Sequence, residues 1–552
     1  MTALLTDNLP LLAGAPNGIK KLRELILELA VRGKLVPQDP NDEPAGELLK
    51  LLITEARDTT GRGKAKKQAL PEVCESEQPY ILPNGWAWGR LGDVADILDS
   101  LRRPVTKQDR KPGPYPYYGA SGVVDYVSAY IFDEPLVLVG EDGAKWGVGE
   151  RTAFSITGKT WVNNHAHVLR PKRDAICDDY LVISLTAQDL SQFITGMTVP
   201  KLNQARLTSI GIPLPPLAEQ HRIVAKVDEL IVLCDRLEAQ QADAESAHAQ
   251  LVQALLDSLT QTSEAIDFAA NWRRMAEHFH TLFTTVSSID ALKQTLLQLA
   301  VMGKLVPQHA NDEPASELLK WIAEQKARLM EGKLKKQKPV DEMDQKQSFN
   351  LPAGWEWVRL GSVSQIKGGK RLPAGATFSS KETPHVYIQV TNMKDGTIVN
   401  RNLKYIDGVT QTVIKQYTIS KDDLYITIAG TIGDVGIVPS CFDGMNLTEN
   451  AAKIVFQKID KRWLQQALSS QFAQRQFSDS TNQLAQPKLA LHRIADSVLA
   501  LPPLAEQRRI VAKVDQLMAL CDQLKTRLTQ ARRLNEQLAT SLVEQAVAST
   551  EE

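Results

Sequence analysis

Cysteine is scarce in this chain: five residues in 552, none in a C-x-x-C pair, so no zinc ribbon or disulfide framework can be assembled. Scattered thiols (Cys74, Cys177, Cys234, Cys441, Cys521) fit a reducing compartment, and a cytoplasmic location is expected. No apolar run approaches the ~18 residues of a membrane span. Residues Met1–Pro16 lack the basic stretch and apolar core of a secretory leader, so neither membrane nor export is expected. Neither sign of charge is in excess. The 64 Lys and Arg against 65 Asp and Glu exclude a uniformly basic nucleic-acid coat but not local basic faces. Catalytic signatures are missing too. Gly158-Lys159-Thr160 resembles the end of a phosphate-binding loop, but Ala153 stands where the leading glycine belongs. There is no G-x-G-x-x-G, H-E-x-x-H or G-x-S-x-G motif. Nor is there the Asn- or Asp-Pro-Pro-aromatic motif with which an amino-methyltransferase holds its base, and no carboxylate pair stands out. These absences describe a binder without a cofactor or metal of its own.

What the chain does have is a long internal repeat. Residues 30–50, AVRGKLVPQDPNDEPAGELLK, return at 300–320 as AVMGKLVPQHANDEPASELLK. LPNGWAWGRLGDV (82–94) returns as LPAGWEWVRLGSV (351–363). LPPLAEQHRIVAKVDELIVLCDRL (214–237) returns as LPPLAEQRRIVAKVDQLMALCDQL (501–524). A period of roughly 270 residues is far beyond any solenoid repeat, so this is a duplicated half-molecule, the single-chain analogue of a two-fold dimer. Between the echoes the halves diverge, which suits a kept frame carrying two different recognitions.

The frame reads as helix. The prolines of each LPPLAEQ block end an extended run and suit a first helical turn, where Glu219 or Glu506 favours the positive helix end. Apolar positions then step by four and three. In one copy they run Ile223, Val227, Leu230, Cys234, Leu237, Gln241, Ala244, His248, Leu251, Leu255, and in the other from Ile510 and Val514 to Leu538 and Leu542. That is the coiled-coil period, interrupted in the first copy by Gln241 and His248. Helices of ~65 Å are expected, with Ile19–Val31 and Ile289–Val301 as shorter partners stopped at Gly33 and Gly303. The expected fold is α+β: two strand-rich α/β globular domains separated by long antiparallel coiled-coil helices. The spans are 1–81 (N-terminal helical region and linker), 82–215 (first recognition domain), 216–350 (central helical region), 351–503 (second recognition domain) and 504–552 (last long helix).

Within the inserts, clusters suited to DNA stand beside strand-like runs. Arg102, Arg103, Lys107, Arg110 and Lys111 precede Tyr115, Tyr117 and Tyr118; the second half has Lys367, Lys370 and Arg371 at the same place. Basic side chains neutralise phosphates or bond guanine, and Tyr stacks or donates. Polar tips follow, Asn163-Asn164-His165 and Asn446-Leu447-Thr448-Glu449-Asn450, where Asn suits adenine and Glu suits cytosine. His165 and His167 would share a strand face with no third ligand near, so no metal is expected. Lys201 and Lys488 recur before the last strand of each insert, and basic linkers (Lys64, Lys66, Lys67; Lys333, Lys335, Lys336, Lys338) precede the inserts.

The doubled LPPLAEQ-x-RIVAKVD block, with LAV-x-GKLVPQ and the two LP-x-GW openings, resembles the specificity subunits of type I restriction–modification systems. The resemblance covers essentially the whole chain. It implies two target-recognition domains, each reading one half of an asymmetric, bipartite site in double-stranded DNA, with helices that set the spacing. It also implies two modification (methyltransferase) subunits bringing S-adenosylmethionine, and restriction (endonuclease/translocase) subunits bringing ATP and Mg. Such a chain is itself no enzyme. A self-contained restriction–methylation enzyme and a coiled-coil scaffold without DNA are the alternatives; the missing motifs disfavour the first and the paired divergent inserts the second.

Overall fold

The computed structural model of the protein describes residues 11–59, 70–196, 198–262, 265–329, 349–479 and 488–548. The basic linkers around Lys64 and Lys335 lie outside them. The chain divides into two compact units, Met1–Glu245 with Ala531–Glu552, and Ser246–Gln530, so both breaks fall inside long helices. Among the described residues the frame includes the helices α1 (Gly18–Val31), α2 (Ala45–Thr59), α3 (Leu217–Gln261), α4 (Ala265–Glu277), α5 (Val286–Val301), α6 (Ala315–Leu329) and α7 (Leu504–Ala548). The two 45-residue helices would each measure about 68 Å. Among the described residues no helix is long and apolar enough to cross a membrane.

Each unit builds its frame around one short helix. In the first, Arg23 of α1 reaches Asp235 and Glu238 of α3, both at 2.7 Å, while Gln38, beyond the end of α1, meets Glu219 at the start of α3. The two helices therefore run antiparallel. Asn17 and Lys21 of α1 meet Glu536 and Thr540 of α7 in ascending order, so that pair is parallel. In the second unit the roles exchange. Asp290 and Lys293 of α5 pair with Lys525 and Asp522 of α7, and Lys304 beyond α5 caps carbonyls at the end of α3. Long helices of opposite sense thus flank a short one in both units. The expected glycine stops are present: Gly33 and Gly303 have φ of +69° and +68°, and a Cβ at either would run into Pro83 or Pro352.

The expected heptad positions pack in part: Leu237, Leu255, Leu524, Leu528 and Leu542 lie partly buried against cores. Ile223, Val227, Leu230 and Cys234 are buried, but Leu251 is exposed and burial resumes at Val252, Leu256 and Leu259. On α7 the heptad positions Leu524 and Leu528 pack partly beyond Cys521, and full burial resumes at Ala539 and Ala546, leaving Leu538 exposed. From Cys234 to Val252 and from Cys521 to Ala539 is 18 residues, five turns of an ordinary 3.6-residue helix. Helices α2, α4 and α6 were not legible as partners.

Both inserts fold to one plan. In the first, Ala95–Ile97 (β2), Leu136–Gly140 (β6), Ala153–Ile156 (β7) and Ala166–Pro171 (β9) form an antiparallel sheet in the order β2-β9-β6-β7. Pro112–Gly119 (β3), Gly122–Val127 (β4), Phe132–Asp133 (β5) and Lys159–Val162 (β8) form a second sheet, β4-β3-β8-β5, with β3 and β8 parallel. The other insert repeats this with Ser364–Gly368 (β14), Leu424–Thr427 (β20), Val435–Ile437 (β21) and Ala451–Phe456 (β23), ordered β14-β23-β20-β21. Its second sheet uses Val386–Ile388 (β15), Lys404–Tyr405 (β18), Thr418–Ile419 (β19) and Met445–Leu447 (β22), ordered β18-β15-β22-β19, with β15 and β22 parallel. Sequences that share little thus share a strand plan, because alternation and turns are kept while side chains vary.

Candidate nucleic-acid interface

The three echoed motifs meet at one junction per half. Ala87–Arg90 (β1) pairs antiparallel with Gly211–Leu214 (β12), and Glu356–Arg359 (β13) with Val498–Leu501 (β24), so each insert leaves and re-enters the frame side by side. Buried Glu219 accepts from Trp86 Nε1 at 3.0 Å and from Gln38 Nε2 at 3.2 Å; Glu506 accepts from Trp355 at 3.0 Å and Gln308 at 3.1 Å. The next residue faces the insert. Gln220 accepts from the backbone N–H of Cys177, and Gln507 from that of Asp460, each at the start of a helix in the recognition domain. Burial raises the pKa of both glutamates above the ordinary value. These carboxylates stand at the positive helix ends that the sequence pattern assigns to them, and they also anchor the entering tryptophan.

The candidate DNA residues fall into two groups. Arg103, Lys107, Asn164, His165 and Lys201 are exposed in the first half, as are Lys367, Lys370, Arg371 and Lys488 in the second; Tyr118, Glu449 and Asn450 are partly so. Five others are interior. Arg102 is paired with Asp99 and Glu141 and donates to Ala166 O. Tyr117 is buried, its hydroxyl against the Val105 backbone. Asn163 is buried and accepts from the His165 backbone N–H, Asn446 donates to Ile414 O at 2.9 Å, and Thr448 is buried beside Glu449. These five shape loops and do not reach outward. Lys201 lies on a two-residue strand, Lys201–Leu202 (β11), rather than on a loop.

The exposed members converge in each domain. In the first, Lys201 Nζ lies 2.8 Å from Glu141 Oε1, His165 Nδ1 lies 2.5 Å from Asp142, and Trp161 donates to Arg103 O at 2.7 Å. The 102–111, 141–142, 163–165 and 201 segments therefore meet at one end of the domain. In the second, Lys488 donates to Glu449 O at 3.2 Å and Lys370 N to Leu447 O at 2.9 Å. There the Tyr387 hydroxyl sits 2.8 Å from Lys370 O and 3.1 Å from Glu449 Oε2, and burial pushes its pKa up to about 12. The ladders also align the halves. Gly140 pairs with Ala166 and Thr427 with Ala451, which makes Asn164 the positional equivalent of Glu449 and His165 that of Asn450, one residue from the motif-level match.

One expectation about histidine is overturned. His165 and His167 do not share a face: His165 is exposed, whereas His167 is buried with Asp99 and Glu141 around it. Those partners lie 68 and 26 positions away in sequence, and only the fold brings them together. Arg102 and Lys201 already pair with these two carboxylates, so the cluster is charge-balanced by side chains.

Comparison with known proteins agrees with this architecture. The profile of the type I restriction modification DNA specificity domain matches residues 83–245 and 352–531. The chain is 36% identical to the type I restriction enzyme EcoAI specificity subunit of Escherichia coli, covering 96% of this chain and 94% of that one. It is 34% identical to the EcoEI specificity subunit of the same species over the same shares. A solved chain from work on complex assembly and conformational transition of the type I R-M system is 17% identical, with a TM-score of 0.50 over 85% of this chain and 99% of that one; it supports the fold alone. Two matched domains, a doubled frame and relatives aligned almost end to end place the chain in the family of type I restriction–modification specificity subunits.

Proposed function

We propose that the two recognition domains each read one half of a bipartite, asymmetric DNA site. The helical frame sets the gap and docks two modification subunits, with restriction subunits joining them. In this reading the chain works in the cytoplasm and is non-catalytic; S-adenosylmethionine, ATP and Mg belong to its partners. The observation that carries the reading is the pairing of one strand plan with two different polar edges: Asn164, His165 and Lys201 in one domain, Glu449, Asn450 and Lys488 in the other. Different donors and acceptors on equivalent scaffolds suit two different base sequences.

Positioning and reading separate in binding titrations at several salt concentrations. Lys201→Ala and Lys488→Ala are expected to weaken cognate and mismatched duplexes alike and to reduce the salt slope of log K by about one each. Asn164→Ala and Asn450→Ala are expected to cost about 1–3 kcal/mol on the cognate site and to relax preference at particular base pairs. Full discrimination in both Asn variants would move base reading to Arg103, Lys107 and the Lys367–Arg371 loop.

Spacing has its own test. Residues 238–247 of α3 are exposed throughout, so that stretch accepts added turns. Seven residues added there and at the matching place in α7 lengthen each helix by about 10 Å, about three base pairs. Methylation mapping should show a longer gap between two unchanged blocks. An unchanged gap with activity retained would remove the frame from spacing.

A further inference from the structure

The candidate edge of each domain has a further segment in its middle. In the first domain Glu141 N donates to His165 O at 2.9 Å, and Glu141 O accepts from Leu202 N at 2.8 Å. In the second, Ile428 N donates to Asn450 O at 2.8 Å, and Ile428 O accepts from Leu489 N at 2.9 Å. The loop leaving β6 (residues 141–152) and the loop leaving β20 (428–434) therefore start between the polar tip and the segment that carries Lys201 or Lys488. Only strand pairing brings them there. Ladder register makes Gly143 the equivalent of Gly430, just past the last paired positions Gly140 and Thr427. Both glycines take left-handed φ, +69° and +82°, and the space beside Gly143 is open, so glycine there serves the turn and not the packing.

The last rung of each hairpin also carries one buried threonine that holds its loop. Gly140 N donates to Thr152 O and Thr427 N to Asp434 O, both at 2.9 Å. Thr152 Oγ1 donates to Lys145 O at 2.8 Å, and Thr427 Oγ1 donates to Thr431 O. Thr152 and Thr427 are buried, whereas the Lys145 side chain is 80% exposed and Thr431 is exposed as well. Glu150, 3.8 Å from the Lys145 ammonium, forms only a solvent-screened pair with it. In both domains a backbone fixed from inside thus presents a free side chain in the middle of the polar edge. Little further order is lost when such a side chain makes a contact, which suits the reading of a ligand.

We infer that these loops are a further reading element in each domain, with Lys145 specifying a guanine in the half-site of the first domain and Thr431 a thymine in that of the second. Lysine offers donors only, and guanine N7 and O6 are paired acceptors on the floor of the major groove. Residues 428–434 contain no Lys or Arg, and the methyl of Thr431 suits the thymine methyl. The two loops therefore set different chemistry at the same place on one scaffold. This inference rests on the two-domain reading of function.

The test uses the full-length chain and a set of duplexes in which each base pair of the cognate site is changed singly, with affinities measured at several salt concentrations. Lys145→Ala should lower discrimination about tenfold at one G·C pair of the first domain's half-site and leave the other half-site as it was. That pair should differ from the one relaxed in Asn164→Ala. Thr431→Ala should lower discrimination several-fold at one A·T pair of the second domain's half-site, and Thr431→Ser, which lacks only the methyl, should do the same. Both side chains are exposed, so these variants keep the fold. Unchanged discrimination in either alanine variant would overturn the proposal, as would full A·T preference in Thr431→Ser. So would a Lys145→Ala effect spread evenly over all duplexes with a smaller salt slope, the sign of a phosphate contact. Exchange of residues 82–215 identifies which half-site belongs to the first domain; if that exchange altered both half-sites, the two-domain reading itself would fail, separately from the role of the loops.

Discussion

A chimera in which residues 82–215 are replaced by the corresponding segment of a relative should modify a new DNA site with one block changed and the other, together with the gap, retained. The expectation follows from how the insert is fastened. Its first and last strands lie side by side, Ala87 opposite Leu214 and Arg90 opposite Gly211, so a foreign domain needs to match the frame only at that pair and at the Trp86–Glu219 and Gln220–Cys177 contacts. The tryptophan, glutamate and glutamine recur in the second half as Trp355, Glu506 and Gln507, so one fastening serves two inserts of divergent sequence. Methylation mapping of the chimera checks the outcome. A change in both blocks would mean that the domains do not read separately.

The second large effect is expected at the fastening itself. Glu219→Ala removes the acceptor of the buried Trp86 Nε1, an orphaned donor that costs about 1–3 kcal/mol, while Gln38 Nε2 keeps its bond to Gly33 O. Glu506→Ala should do the same in the second half, and denaturant unfolding measures both. Glu219→Gln keeps an acceptor for the indole and should be milder. It should also change the pH dependence of stability. Burial raises the folded-state pKa of Glu219, so the folded protein binds this proton more tightly than the unfolded chain. The group's contribution is present below the unfolded value and lost as pH rises through the raised one; Glu219→Gln should abolish that component. Equal stability of Glu219→Ala and the parent would refute the anchoring role.

Local signals made the frame legible and left the site only half so. Proline pairs before LAEQ, glycine after a periodic apolar stretch and the steps from Ile223 to Cys234 each act within a few residues, and the helices they announce are present. The seam past Cys234 is interrupted where polar Gln241 announces it: residues 238–247 are exposed, while Leu237 before them and Leu255 beyond are partly buried against cores. Helix α2 lies partly in the first echo, where the repeat itself carries no sign of helical period. At the recognition edges, residue type indicated DNA but could not tell a reaching side chain from a bracing one. Asn163 and Asn164 are neighbours in sequence, yet in the turn between Lys159–Val162 and Ala166–Pro171 the first is buried, accepting from the His165 backbone N–H, and the second is exposed. Arg102 reads as a phosphate ligand until Asp99 and Glu141 are seen to enclose it, and Glu141 is 39 residues away.

Sequencing that detects methylated adenine across the genome of a host expressing this chain with its modification partner tests the central claim most directly. Two domains on one frame predict a single asymmetric motif made of two short specified blocks separated by a fixed run of unspecified bases. A continuous motif, or two identical blocks, would contradict the assignment of separate and different half-sites to the two domains.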